Sequence, residues 1–173
     1  NGELDSCITF FFFFKRESIR YSGVAWTGIP EINFMLNIKV RKMEEKNIFF
    51  KVDSKIEKIP MKDIDFVVLL GNLLDNAIKF SPENGTITMF LRHENDSVQF
   101  ILEDEGPGIA DDAKARIFDK FYQVDGSHKA EGNGLGLALV KRIVDIAGGT
   151  IKAENREYGG CRFVVELPIN NHK

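Results

Sequence analysis

The stretch LLGNLLDNAIKFSPENG, Leu69 to Gly85, decides how this chain folds. Its leucines recur on a helical period, and Pro82 stands just past the last turn, so a helix is predicted over about Lys62 to Phe80. Three polar residues interrupt it. With Asn72 set at zero and about 100° per residue, Asn76 falls at about +40° and Lys79 at about −20°, while Phe66, Leu70, Leu73, Leu74 and Ala77 gather between about 100° and 200°. The apolar stripe is turned to a core, and two amides and a lysine share a narrow stripe elsewhere. Asparagine is a mediocre helix former that prefers caps and turns, so helix stability does not account for its placement. An amide oxygen can ligate a hard cation and a lysine can neutralise a phosphate, which suits a magnesium–nucleotide site. A plain solvent-facing polar stripe fits the same pattern.

Working outward, Pro30 precedes a second helical period over Glu31 to Lys46, with Ile32, Met35, Leu36, Val40 and Met43 on one side. NIFFKVD reads as a strand ending near Asp53. After the quoted helix, TITMFLRH and SVQFILED read as strands joined through Glu94 to Ser97, and Val98, Phe100 and Leu102 alternate with polar residues as in a half-buried strand. A short helix is expected near Asp111 to Phe118 and a longer one over Leu135 to Ala147, closed by Gly148 and Gly149. TIKAEN and CRFVVELP make a last hairpin around Tyr158, Gly159 and Gly160. Helices stand apart from a mixed, mostly antiparallel sheet, so the fold class is α+β, a two-layer sandwich. Residues 31–173 form one domain. Residues 1–30 are a segment of unclear role, a linker or first strand, with a strand plausible over Ile19 to Ala25.

Bulk properties narrow the function. The 173 residues fit one core, and a net charge of −3 gives no electrostatic case for nucleic-acid binding. Cys7 and Cys161 are too few for a disulfide framework and show no metal-type spacing, which fits reduced thiols in the cytoplasm. The longest apolar run, Ile8 to Phe14, falls far short of the roughly 20 residues that span a bilayer. Its five phenylalanines fit a core strand, a contact with a neighbour, or a membrane interface.

Two further stretches carry chemistry. In EDEGPGIA, Glu103 to Ala110, a strand runs into Asp104 and two glycines, Gly106 and Gly108. The glycines let the chain turn and let a flat ligand approach the backbone. A carboxylate at the strand end can accept a hydrogen bond from an exocyclic amine such as that of adenine; an ordinary acidic turn reads the same way. In GNGLGLALVKRI, Gly132, Gly134 and Gly136 alternate where a helix begins, and bare amides at a helix N-terminus suit phosphate. The spacing is not that of a dinucleotide fingerprint or a P-loop, and protein-kinase signatures such as H-R-D and D-F-G are missing.

The order of these motifs, with IFDKFYQVD between the last two, resembles the ATP-binding catalytic domain of sensor histidine kinases, in the GHKL ATPase superfamily with its Bergerat ATP-binding fold. The resemblance covers about residues 31 to 168. It implies that Asn76 ligates Mg²⁺, with Asn72 its companion one turn earlier; Lys79 contacts phosphate; and Phe80 packs near adenine. Asp104 reads the adenine amino group in a pocket shaped by Gly106, Gly108 and the adjoining Ile109. Phe118 to Tyr122 match the phenylalanine box. Gly132, Gly134 and Gly136, with Leu135 and Leu137, match the glycine box that holds the phosphates. Residues between Ala110 and Glu131 correspond to a mobile ATP lid. Two departures stand out. Gln123 replaces an arginine frequent in the family, so Lys129 is the candidate lid cation, and Cys161 stands where Ser or Thr is usual, although a thiol is the weaker donor.

Relatives that hydrolyse ATP place a glutamate at the position of Asn72 as general base. An amide cannot take that proton, so the resemblance favours a kinase. His93, His128 and His172 do not sit on a long amphipathic helix with an acidic neighbour, as a phosphoacceptor does. The implied function is the ATP- and Mg²⁺-dependent catalytic domain of a two-component sensor kinase, the cytoplasmic part of a membrane-anchored sensor. It would donate the γ-phosphoryl group to a histidine on a separate dimerisation domain, with a response regulator downstream. A stand-alone ATPase and a non-catalytic nucleotide-binding module are the alternatives.

Overall fold

A computed structural model describes residues 9–10, 29–54, 56, 58–123 and 133–169. The first strand expected from the sequence, Ile19 to Ala25, lies outside them. The elements run β1 (Thr9–Phe10), α1 (Pro30–Glu45), β2 (Phe49–Ser54), α2 (Asp63–Phe80), β3 (Thr86–Glu94), β4 (Ser97–Glu103), α3 (Asp111–Lys114), α4 (Gly136–Ile146), β5 (Thr150–Asn155) and β6 (Cys161–Pro168). Proline opens α1 in its first turn, where its missing N–H costs nothing. The strands join in one sheet of order β1-β2-β3-β4-β6-β5. β2 and β3 pair in parallel, with Val52 opposite Met89. The other pairings are antiparallel. A parallel pair needs a crossover, and α2 is that crossover.

Alternation fixes which face is buried. Ile87, Met89 and Leu91 of β3, Val98, Phe100 and Leu102 of β4, and Phe163, Val165 and Leu167 of β6 all turn to the helices and lose their water contact. They meet Phe66, Leu69, Leu70, Leu73, Leu74 and Ala77 from α2, Ile32, Leu36 and Met43 from α1, and Val140 and Val144 from α4. Phe66 stands edge-on to Phe100, centroids 5.7 Å apart, and ties α2 to the middle of the sheet. The opposite sheet face carries Gln99, Ile101, Lys152, Arg162, Val164 and Glu166. The molecule is therefore the two-layer α+β sandwich expected, with helices on one side.

α1 and α2 run parallel. Met35 lies against Gly71, the buried Lys39 pairs with Asp75 at 2.6 Å, and Lys46 Nζ donates to the Ile78 carbonyl at 3.0 Å, so contacts advance along both helices together. One helix is shorter than expected. The segment predicted as helical over Asp111 to Phe118 is α-helical only to Lys114. Beyond it one i→i−4 bond, from Ile117 N to Ala113 O, stands among i→i−3 bonds from Arg116 N to Ala113 O and from Asp119 N to Arg116 O, and Phe121 turns left-handed with φ 63°.

Candidate functional site

α2 supplies one wall of the site. Asn72 and Asn76 are half-buried beside its apolar face. Each amide nitrogen donates back one turn, Asn72 Nδ2 to Val68 O at 2.8 Å and Asn76 Nδ2 to Asn72 O at 2.9 Å. Reversing either amide would set oxygen against oxygen, so the bonds fix the orientation. Both Oδ1 atoms are left as outward acceptors. That of Asn72 lies 2.8 Å from the point where a Cβ on Gly136 would sit. Only glycine lets α4 start this close.

The start of α4 is open. Leu135 is its N-cap and gives no side-chain hydrogen bond, and the first turn carries no acidic residue. The first intrahelical bond runs from Leu139 N to Leu135 O. The amides of Gly136, Leu137 and Ala138 therefore have no partner inside the helix, at its positive end. Gly134 (φ 69°) precedes them, and its carbonyl accepts a 2.9 Å bond from Phe121 N, which ties the phenylalanine box to the glycine box. Phe118 is partly buried against the core, whereas Phe121 is exposed.

The other end of α2 reaches the Asp104 loop. Lys79, half-buried, holds its Nζ 5.1 Å from the Phe80 ring centroid, and Phe80 is 47% exposed. A Cβ on Gly106 would stand 2.9 Å from the Phe80 carbonyl oxygen, so a side chain there would part the loop from the helix. Asp104 is 5% exposed. Its Oδ1 accepts from Gly106 N at 2.8 Å and Cys161 N at 3.2 Å; Oδ2 takes neither bond. Burial raises the Asp104 pKa above the ordinary aspartate value, against the lowering effect of those two amides and of nearby Arg156. Arg156 Nη1 also donates to the Asp104 carbonyl at 2.7 Å. The Cys161 thiol is pushed up to about 12 by burial and then by the Asp104 charge, so it stays neutral. Cys161 meets Asp104 through its backbone N–H, a contact that any residue but proline supplies.

The predicted residues thus fall on one open arc. Asn72, Asn76 and Phe80 are spaced by four along α2, about 12 Å at 1.5 Å per residue. The α4 start closes one end, and the loop from Asp104 through Gly106 and Gly108 to Ile109 closes the other. Two surface clefts lie elsewhere, over the open sheet face between Gln99 and Arg162, and between Lys46 and Glu83. Lys129 and Gly132 lie outside the described residues. Sequence reading missed Asn155 and Arg156, which hold the Asp104 loop from 46 and 52 residues away; both looked like ordinary residues at a hairpin turn. Among the described residues no group of three His, Cys, Asp or Glu side chains is arranged for a metal ion.

Comparison with known proteins gives the family. Residues 37–171 match the family model described as histidine kinase-, DNA gyrase B-, and HSP90-like ATPase. The chain is 42% identical over 102 residues to the adaptive-response sensory kinase SasA of Nostoc sp., covering 58% of this chain and 25% of that one. It is 39% identical over 135 residues to hybrid signal transduction histidine kinase D of Dictyostelium discoideum, covering 72% of this chain and 9% of that one. The chain spans about a quarter or less of these curated relatives. Among solved structures it is similar to the catalytic domain of histidine kinase ThkA, with TM-score 0.71, 30% identity, and coverage of 80% and 90% of the two chains. It also resembles histidine kinase ThkA in complex with response regulator protein TrrA, with TM-score 0.67, 28% identity, and coverage of 83% and 40%. Matched over most of its length, the chain belongs to the family of histidine kinase-, DNA gyrase B-, and HSP90-like ATPases, and within it to the ATPase domains of sensor histidine kinases.

Proposed function

We propose that the chain binds Mg–ATP and donates its γ-phosphoryl group to a histidine on a separate dimerisation domain. The observation that carries this reading is the α2 stripe: Asn72 Oδ1 lies against the uncapped start of α4, Asn76 follows one turn on, and Phe80 at the C-terminal end meets the Asp104 loop at Gly106. The residues present fit a magnesium ion: Asn76 Oδ1, with Asn72 Oδ1 beside it, is a hard oxygen donor. When bound, the metal supplies positive charge that offsets the phosphates. The amides of Gly136 and Leu137 and the ammonium of Lys79 do the same from the protein side, helped by Gly132 and Lys129 in the glycine box and lid. Asp104 Oδ2 accepts from the exocyclic amine of adenine, with Phe80, Gly106, Gly108, Ile109, Phe118 and Cys161 around the base. Such groups act by positioning and charge neutralisation.

Water is poorly activated here. Asn72 spends its amide nitrogen on Val68 O and has no basic atom to take a proton, which argues against a stand-alone ATPase. His93 lies beside Val98, six residues along the strand direction from Asp104, roughly 20 Å at 3.3 Å per residue, and so stands away from the Asp104 loop. In this reading the substrate histidine belongs to another domain and a response regulator receives the phosphoryl group; the similar ThkA structure is a complex with response regulator protein TrrA. Among the described residues no helix is long and apolar enough to cross a membrane. Residues 31–173 are the catalytic domain in this reading, carried on the cytoplasmic side of a membrane-anchored sensor.

Calorimetry with ATP and Mg²⁺ tests the site. Asn76→Asp and Asp104→Ala should each weaken binding at least about tenfold, the worth of one charge-assisted hydrogen bond, while circular dichroism shows the native fold. Unchanged affinity in both variants overturns the assignment.

A further inference from the structure

The β5–β6 hairpin makes contacts that none of the roles above uses. Asn155, the last residue of β5, grips the backbone of Ile109 at two points: Oδ1 accepts from Ile109 N at 2.7 Å, and Nδ2 donates to Ile109 O at 2.8 Å. A planar amide that satisfies the N–H and C=O of one residue fixes both the place and the tilt of its peptide planes. Gly108, at φ 79°, lies so close that a Cβ there would stand 2.9 Å from Asn155 Oδ1. One residue on, Arg156 donates to the Asp104 carbonyl at 2.7 Å, and Cys161 across the hairpin pairs with Asp104 in both directions, Asp104 N to Cys161 O at 3.0 Å and Cys161 N to Asp104 Oδ1 at 3.2 Å. The loop from Asp104 to Ile109 is thus pinned at both ends by one hairpin, and Asn155 holds the far end by two side-chain bonds.

We propose that Asn155 is a positioning residue for base recognition, holding the Asp104–Ile109 loop so that the purine edge meets Asp104 Oδ2 in register. This rests on the reading of Asp104 given above. Asn155 is exposed and its two bonds lie at the surface, so it adds little to the stability of the fold. Its effect falls on the loop, and hence on discrimination between a purine with a 6-amino group and one with a 6-oxo group. Loss of a single donor–acceptor match is enough to reverse such a preference, because the buried partner is left unpaired.

The test is calorimetric titration of the chain with ATP and with inosine triphosphate, both with Mg²⁺, for wild type, Asn155→Ala and Asn155→Asp, beside thermal melting. Asn155→Asp keeps the acceptor for Ile109 N and turns a second oxygen onto Ile109 O, so it should not rescue the alanine variant. Both variants should bind ATP about tenfold more weakly, bind inosine triphosphate as wild type does, and melt within a few degrees of it. Variants that keep the wild-type preference for ATP overturn the inference alone, as do variants that lose affinity for both nucleotides equally. Wild type that binds both nucleotides equally overturns the assignment of Asp104, and the role of Asn155 with it.

Discussion

At Asp104 recognition and stability pull in opposite directions. Burial outweighs the two backbone donors and Arg156, so the folded protein holds the carboxyl proton more tightly than the unfolded chain does. The sign follows from linkage: where the folded state binds more protons, stability falls as pH rises. The loss begins near the unfolded aspartate value and is complete once pH has passed the raised folded value. Asp104→Asn removes that loss, and its amide oxygen can still accept from Gly106 N and Cys161 N. Urea unfolding at about pH 4, near the ordinary aspartate value, and at about pH 7, well above it, should show the variant gaining on wild type as pH rises. At neutral pH it should be at least as stable as wild type and yet bind ATP poorly, because an amide N–H₂ would face the adenine amine. A wild type that gains on the variant with rising pH contradicts the burial argument.

Two helical glycines show how an element's neighbours decide the sign of the same substitution. Alanine is better than glycine inside a helix by roughly 0.5–1 kcal/mol. In α2, a Cβ on Gly71 would stand 3.3 Å from Met35 Cε, the free end of a flexible side chain. Gly71→Ala should therefore raise stability by up to about 1 kcal/mol, read as a higher denaturation midpoint with ATP affinity unchanged. In α4, the Cβ of Gly136→Ala would meet Asn72 Oδ1 at 2.8 Å, and that side chain is anchored on Val68 O. This variant should lose ATP affinity although helix propensity favours it. The period of α2 was legible in the sequence because burial follows it: Phe66, Leu70, Leu73, Leu74 and Ala77 are all in the core. The asparagine stripe was legible too, but not the bonds that orient it. The early end of α3 was hidden, since Phe121 is held by Gly134, a partner beyond any helical window. Asn155 was hidden for the same reason.

Across the molecule, the described residues share a single interface between the sheet and its helices. Alternation in β4 foretold that Val98, Phe100 and Leu102 would face that interface. It could not foretell that β6 inserts between β4 and β5, or that β2 pairs with β3 in parallel, because strand order depends on where α2 crosses rather than on any strand's own pattern. Phe66 is where that crossover meets the centre of the sheet, wholly buried and edge-on to Phe100. Phe66→Ala should cost about 3–5 kcal/mol, the usual range for a buried phenylalanine. For a domain of this size each kcal/mol lowers Tm by about 2–4 °C, so a fall of about 10 °C is expected. The cavity lies under α2, on the side away from the Asn72–Asn76 stripe. A variant that remains folded should therefore keep its arc of ligand groups. ATP with Mg²⁺ at about a hundred times its Kd adds about 2.7 kcal/mol to any folded state that binds it. Phe66→Ala should recover much of its lost Tm under those conditions, and the Phe66→Ala, Asn76→Asp double variant, which binds at least about tenfold more weakly, should recover no more than about half as much. Equal recovery in both would mean that the nucleotide does not bind through the asparagine stripe of α2.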